Sequence, residues 1–183
     1  MNRRRGVEVF EVVSRSPRLG YARRSAVDAN MIPWPDEKIY NNAIWDIRRH
    51  SMDAELWRYT RIENHHQEVL DSYSAADGER AVVTAVTSNG NWYALTTRRL
   101  VGVSYDGAFD IPAHLMTDCT FGDNAKGYGN VELSIATITQ PGNGSVAFEF
   151  ETGKAWMAPE YYVSWWIRKF PILDLFKFDP ASS

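Results

Sequence analysis

Cysteine is nearly missing from this chain: Cys119 is the single one among 183 residues. That excludes an internal disulfide framework, and it excludes the Cys-rich zinc sites that draw two to four thiolates. No stretch approaches the roughly 18 consecutive apolar residues that a membrane-spanning helix needs. The basic start, Met1 to Gly6, is followed by Val7–Val13, which two carboxylates interrupt, so a secretory leader is not expected and cytoplasm is the expected compartment. There is no Gly-x-Ser-x-Gly elbow and no His-Glu-x-x-His pair, the arrangements that mark common hydrolases and zinc proteases. Neither a repeat of fixed period nor a low-complexity tract is visible.

What the chain does have is aromatic bulk, 13% of its residues, including seven Trp. Charge is unevenly spread. The overall balance is −3, yet residues 1–30 carry seven Arg against Glu8, Glu11 and Asp28, a local +4, which leaves −7 on the rest. Such an arm is expected to be a solubilising extension or a site for anions and lipid, with Arg3, Arg4 and Arg5 as its leading cations. The acidic remainder argues against a dedicated, sequence-specific nucleic-acid domain.

Three regions follow from the pattern: a basic, partly ordered arm at 1–30, a helical extension at 31–75, and a β-rich domain at 76–180. After Pro33-Trp34-Pro35, Asp36 is expected to cap a helix carrying Ile39, Ala43, Ile44 and Ile47, with Trp45 widening its apolar face. Ser51 is expected to cap a second helix, on which Leu56, Tyr59, Glu63, His66, Leu70 and Tyr73 recur at helical steps. The period then becomes two. Ala81–Thr87 and Trp92–Val103 read as strands around Ser88-Asn89-Gly90-Asn91, an Asn-Gly signal for a tight hairpin. Further strands are expected at Phe109–Ile111, near His114–Phe121, at Val131, Leu133 and Ile135, and at Val146, Phe148 and Phe150. Pro159 then opens a C-terminal helix, Glu160–Phe170, and Pro171 is expected to interrupt it.

The string Tyr93-Ala94-Leu95-Thr96-Thr97-Arg98-Arg99-Leu100-Val101, followed by Ile111-Pro112-Ala113-His114-Leu115-Met116, resembles the phrases of bacterial pleckstrin-homology-like (PH-like) domains over about residues 78–178. The resemblance implies an α+β fold, a bent antiparallel barrel closed by the last helix. Leu95 and Leu100 differ by an odd number, so one flat strand would place them on opposite faces; a bulge or burial on both faces is expected to reconcile them. Eukaryotic relatives bind inositol phosphates through a basic first hairpin loop, and Ser88–Asn91 has no cation.

No catalytic, cofactor or metal residue is assigned. Cys119 and His114 are expected on opposite faces of one strand, with Cys119 a buried structural thiol. His65 and His66, beside Glu63 and Glu68, read as a solvated helix face. Glu149 and Glu151, alternating with phenylalanines, read as the solvent face of a strand. The loop 122–130 departs from a phosphate-binding loop, leaving Lys126 as its one anion candidate. The segment around Trp165, Trp166, Arg168 and Lys169 is the most distinctive. It suits barrel closure, a protein interface or a membrane surface. The expected function is a non-enzymatic module that binds a protein partner or itself, by sheet-edge pairing or an aromatic patch. The alternatives are peripheral binding to anionic membrane through the arm and aromatic tail, and an enzyme with a cryptic site between extension and barrel.

Overall fold

The computed structural model describes residues 34–51, 53–87, 89–123, 125–127, 132–142 and 144–175, the last seven by backbone alone. The Arg-rich arm, with Arg3, Arg4 and Arg5, lies outside the described residues. The fold is α+β. Helix α1 (Asp36–His50) leads to a short strand β1 (Thr60–Arg61) and a short helix α2 (Gln67–Asp71). A meander follows: β2 (Ala81–Val86), β3 (Trp92–Thr96), β4 (Arg99–Ser104) and β5 (Gly107–Pro112). Strands β6 (Asp118–Phe121), β7 (Leu133–Gln140) and β8 (Gly144–Glu151) come next, and helix α3 (Met157–Leu175) is the last described element. The strands form two antiparallel sheets, a five-stranded one in the order β1-β2-β3-β4-β5 and a three-stranded one in the order β6-β7-β8, with no ladder joining them among the described residues.

The parity conflict between Leu95 and Leu100 is resolved by a hairpin, neither by a bulge nor by burial on both faces. The expected long strand is two strands, β3 and β4, and Leu95 and Leu100 are directly opposite partners, both fully buried. Thr97 and Arg98 make the turn. The Thr96 hydroxyl accepts hydrogen bonds from the backbone N–H of Arg98 at 3.1 Å and of Arg99 at 3.0 Å, and donates to Glu79 Oε1 at 2.6 Å. The Thr96 carbonyl accepts from the Tyr162 hydroxyl of α3 at 2.6 Å. Arg98 binds Asp36 at the start of α1 at 2.6 Å, and Thr97 also donates to that carboxylate. One turn thus receives both long helices.

Arg99 completes the junction. Its guanidinium holds Glu79 at 2.9 and 3.1 Å, Asp110 at 2.6 Å and the Ser74 carbonyl at 2.6 Å. Burial opposes ionisation of Glu79, but hydrogen bonds from Arg99, Thr96 and the Ala76 amide outweigh it and hold the carboxyl below its ordinary value. Asp36 is likewise held down: burial opposes, and Arg98 and Thr97 prevail. Asp36 is therefore an anchor rather than a cap; Pro35 occupies the N-cap position.

Of the expected second helix only the short α2 (Gln67–Asp71) forms. Ser51 ends α1 in an extended conformation, and Asp53 and Asn64 take positive φ, 56° and 49°, which no helix accommodates. Between them the chain makes a 3-10 turn (Ala54–Leu56) and β1, which joins β2 with Thr60 opposite Ala85. Residues 32–183 form one compact unit, so the helical region and the strands share it. The first hairpin turns as expected around Gly90 at φ 76°, where glycine is the low-cost residue. Thr87 N–H donates to the Asn91 carbonyl and Gly90 N–H to the Thr87 carbonyl, which defines a three-residue loop rather than the two-residue form with two positive φ values.

The core lies between the sheets and under α3. It contains Leu95, Leu100, Tyr93, Phe148, Phe150, Ile138, Tyr162, Val163 and Trp166, with Ile39, Ala43 and Ile47 of α1 continuing it. On β7 the alternation runs in the other phase from that expected: Ala136 and Ile138 are buried, and Ile135 is 44% exposed. Helix α3 also continues through Pro171.

The outer face of β8 is not solvent either. Glu151 is buried, and its carboxylate accepts the backbone N–H groups of Arg58 at 2.6 Å, Tyr59 at 2.9 Å and Thr60 at 2.8 Å. This carboxylate fastens the start of β1 to the second sheet. Glu151→Ala leaves those donors without an acceptor and is expected to cost about 3 kcal/mol, whereas Glu151→Gln, which keeps a carbonyl oxygen, costs less. Urea midpoints of the two variants check the order; equal midpoints for Glu151→Ala and the natural chain exclude the clamp.

Candidate functional site

The aromatic tail is where the sequence placed its site, and the fold turns both of its tryptophans toward the core. Trp166 is 2% exposed and sits in the core, so it presents no surface to a partner. Trp165 is half-buried. Its ring lies 4.8 Å from Trp166, 6.0 Å from Trp34 and 6.3 Å from Tyr162, the last nearly parallel. Lys38 stands over the Trp34 ring at 4.4 Å, and His50 stacks on Tyr161 at 4.5 Å. Burial of such side chains against one another contributes roughly 1.5–3 kcal/mol each, which is why α1 and α3 adhere here. Arg168 is exposed, its Nε donating to the Ser164 carbonyl at 3.1 Å. The Lys169 side chain lies outside the described residues.

Between α1 and α3 runs a shallow furrow lined by Ala43, Asp46, Ile47, Tyr161, Tyr162 and Trp165, with no interior room for even a water-sized ligand. Drug-sized ligands use about 300–1,000 Å³. This seam is a packed joint rather than a pocket.

The reactive residue types are also accounted for. Cys119 on β6 is half-buried rather than fully buried, and burial together with the Glu160 and Asp118 carboxylates pushes its thiol up to about 12. A nucleophilic cysteine needs the opposite shift. His114 lies in a 3-10 turn (Ala113–Leu115), not on the Cys119 strand. His65 and His66 precede α2 rather than lining a helix, and both approach the Thr84 hydroxyl, at 3.3 and 3.1 Å through Nδ1. Burial pushes both imidazoles below their ordinary value, so each favours the neutral form. Lys126 is exposed beside Gly127.

Glu149 is the least expected of these placements. It is 7% exposed, on the face of β8 that the alternation assigned to solvent. Its carboxylate accepts from Thr87 Oγ1 at 2.8 Å, Asn91 Nδ2 at 2.9 Å, Asn89 Nδ2 at 2.9 Å and the Tyr105 hydroxyl at 2.8 Å. All four donors come from two turns of the first sheet. The polar Ser88–Asn91 loop that lacks a cation is thus the binding surface for a carboxylate of the same chain. Burial opposes the charge, and the donors Asn91, Thr87, Tyr105 and Asn89 outweigh it, holding Glu149 below its ordinary value.

What remains on the surface is a different aromatic. Trp45 is 61% exposed, and the Arg49 guanidinium lies 5.2 Å from its ring centre, one turn along α1. The sequence held the signal: Trp45 is two residues from both Ala43 and Ile47, about 200° around the helix from either, so it lies opposite the buried stripe instead of widening it. Among the described residues the other large apolar side chains left open are Leu56, Tyr105 and Ile135.

Among the described residues no helix is long and apolar enough to cross a membrane, and no group of three metal-ligating side chains is present. The chain matches no protein-family model, no curated protein and no solved structure.

Glu149 gives a pH signature. A carboxyl held below its ordinary value adds stability that is fully present above the unfolded value, near 4.5, and is lost as pH falls through the folded one. Glu149→Gln is therefore expected to lose more stability at pH 7 than at pH 3, flattening the acid limb of a denaturation series. An identical pH slope in variant and natural chain excludes the clamp.

Proposed function

We propose that this chain is a non-enzymatic interaction module of PH-like architecture, whose α1 offers Trp45 and Arg49 to a protein partner. The single observation that carries the reading is Trp45 itself: a tryptophan 61% exposed on an ordered helix, with an arginine over its ring. Trp and Arg are the side chains that most often dominate binding energy at interfaces. The architecture is consistent with the resemblance. A four-strand meander, β2 to β5, is followed by three strands and a helix carrying Tyr162, Val163 and Trp166 into the core. In this reading the two sheets are the walls of a bent, partly open barrel and α3 is its plug. Helix α1 and β1 are additions that leave one aromatic outside. The non-enzymatic part rests on Cys119, whose thiol is pushed away from reactivity, and on Glu149 and Glu151, whose oxygens serve as anchors.

The test is affinity capture from host lysate with the natural chain and with Trp45→Ala, both checked for equal thermal stability. A protein retained by the natural chain and depleted at least about tenfold in the variant, as hot-spot truncation predicts, supports the reading. Equal capture by both overturns it. Co-sedimentation with anionic vesicles that disappears on deleting residues 1–24 moves the function to the Arg-rich arm and a membrane surface.

A further inference from the structure

Strand β5 is the outer strand of the five-stranded sheet among the described residues, and its pairing with β4 shows which of its backbone groups face away from that sheet. Six consecutive pairs run without a bulge from Arg99–Pro112 to Ser104–Gly107. In the same register Ala113 lies opposite Arg98, and the Ala113 N–H donates to the Arg98 carbonyl at 2.8 Å. Antiparallel pairs alternate between bonded and non-bonded types. Ile111, Phe109 and Gly107 therefore turn their N–H and C=O toward β4. Ala108, Asp110 and Pro112 turn theirs away. Pro112 confirms the phase, since a residue without N–H is accommodated in a ladder only where that position faces the open edge.

Edges left this way are usually blunted by charge, a bulge or a covering element. Here there is no bulge, and the strand's one charge, Asp110, is matched by Arg99 Nη1 of the neighbouring strand at 2.6 Å. Gly107, Ala108 and Asp110 are exposed. Phe109 points inward, close over Gly102, where an added Cβ would meet its ring at 2.7 Å, so this strand keeps its bulk off the outer face.

We propose that the β5 edge pairs with the β5 edge of a second copy of this chain, antiparallel about a two-fold axis at Phe109. A second copy is the occupant because the edge is complementary to itself. With Ala108 opposite Asp110 of the other copy, each N–H meets a carbonyl, giving four backbone hydrogen bonds. Phe109 lies beside its own counterpart in the close, non-bonded pair, and aromatic cross-strand pairs are favourable there. Each Asp110 faces the small Ala108 rather than the other Asp110, and Arg99, which it shares with Glu79, offsets only part of its charge. Pro112, lacking an N–H, ends the ladder. The interface is isologous and closes at two copies, in keeping with the usual symmetry of small assemblies. It uses no atom of Trp45, and it stands whether or not a partner docks on α1.

The register supplies a test with opposite signs. The full chain is purified and its mass followed by sedimentation at concentrations up to about 1 mM, because one short strand pair buries little area and holds weakly. Ala108→Glu sets like charges opposite each other and is expected to raise the dimer dissociation constant several-fold. Ala108→Lys sets a cation opposite Asp110 of the other copy and is expected to lower it. Both substitutions are on an exposed side chain, and thermal melts verify that each variant folds. The Ala108 and Asp110 amides are expected to exchange more slowly as the dimer fills. Trp45→Ala leaves the dimer unchanged, so loss of partner capture and loss of self-association are separate results. A chain that stays monomeric at the highest concentration, or a dimer on which the Glu and Lys variants act alike, overturns the proposal.

Discussion

The turn from Thr96 to Arg99 is the point on which the rest of the molecule depends. Its hydroxyl satisfies two turn amides, its carbonyl takes the buried Tyr162 hydroxyl, and its arginines hold Asp36, Glu79 and Asp110. Helix α1, helix α3, the loop before β2 and strand β5 are all tied to four residues. In the Arg99–Glu79 pair the carboxylate is the buried member, with the Glu79 side chain 1% exposed. Such a charge persists inside only when its hydrogen bonds are complete, and Arg99 and Thr96 complete them. The string Leu95-Thr96-Thr97-Arg98-Arg99-Leu100 is thus a structural device: the two leucines face each other in the core and the polar residues form the joint.

A second theme is the use of carboxylates in place of ladders between the sheets. Glu149 and Glu151 extend from β8 and bind the first sheet's turns and the backbone before β1. Each fastens one end of a seam that has no ladder among the described residues. Paired with the α1–α3 aromatic joint, these clamps make residues 32–183 one unit.

Much of the fold was readable from the chain. The α+β class, the start of α1, the hairpin at Gly90 and the closing helix follow from period and punctuation, because those signals are local. Helices α1 and α3 pack together, with His50 stacked on Tyr161 and Trp34, just before α1, beside Trp165. The errors share one physical cause. Glu149, Glu151 and Ile135 were assigned to faces by polarity, but polarity records what a side chain can do in water and not what donors await it elsewhere in the fold. The helical period after Ser51 was real but outcompeted, since that backbone gains three bonds to Glu151 and a place beside β2. Trp166 looked like an interface residue because the same chemistry serves a core.

By itself, then, the sequence determined the α+β class, the two long helices, the first hairpin and the thiol-poor chemistry. Those depend on residues close together along the chain, where steric and periodic rules act directly. Only the tertiary structure decided which carboxylates are buried, what holds them and which strand edge has no neighbour among the described residues. Each of those depends on groups roughly 40 to 90 residues away, such as Tyr105 for Glu149 and Arg58 for Glu151, brought into reach by folding.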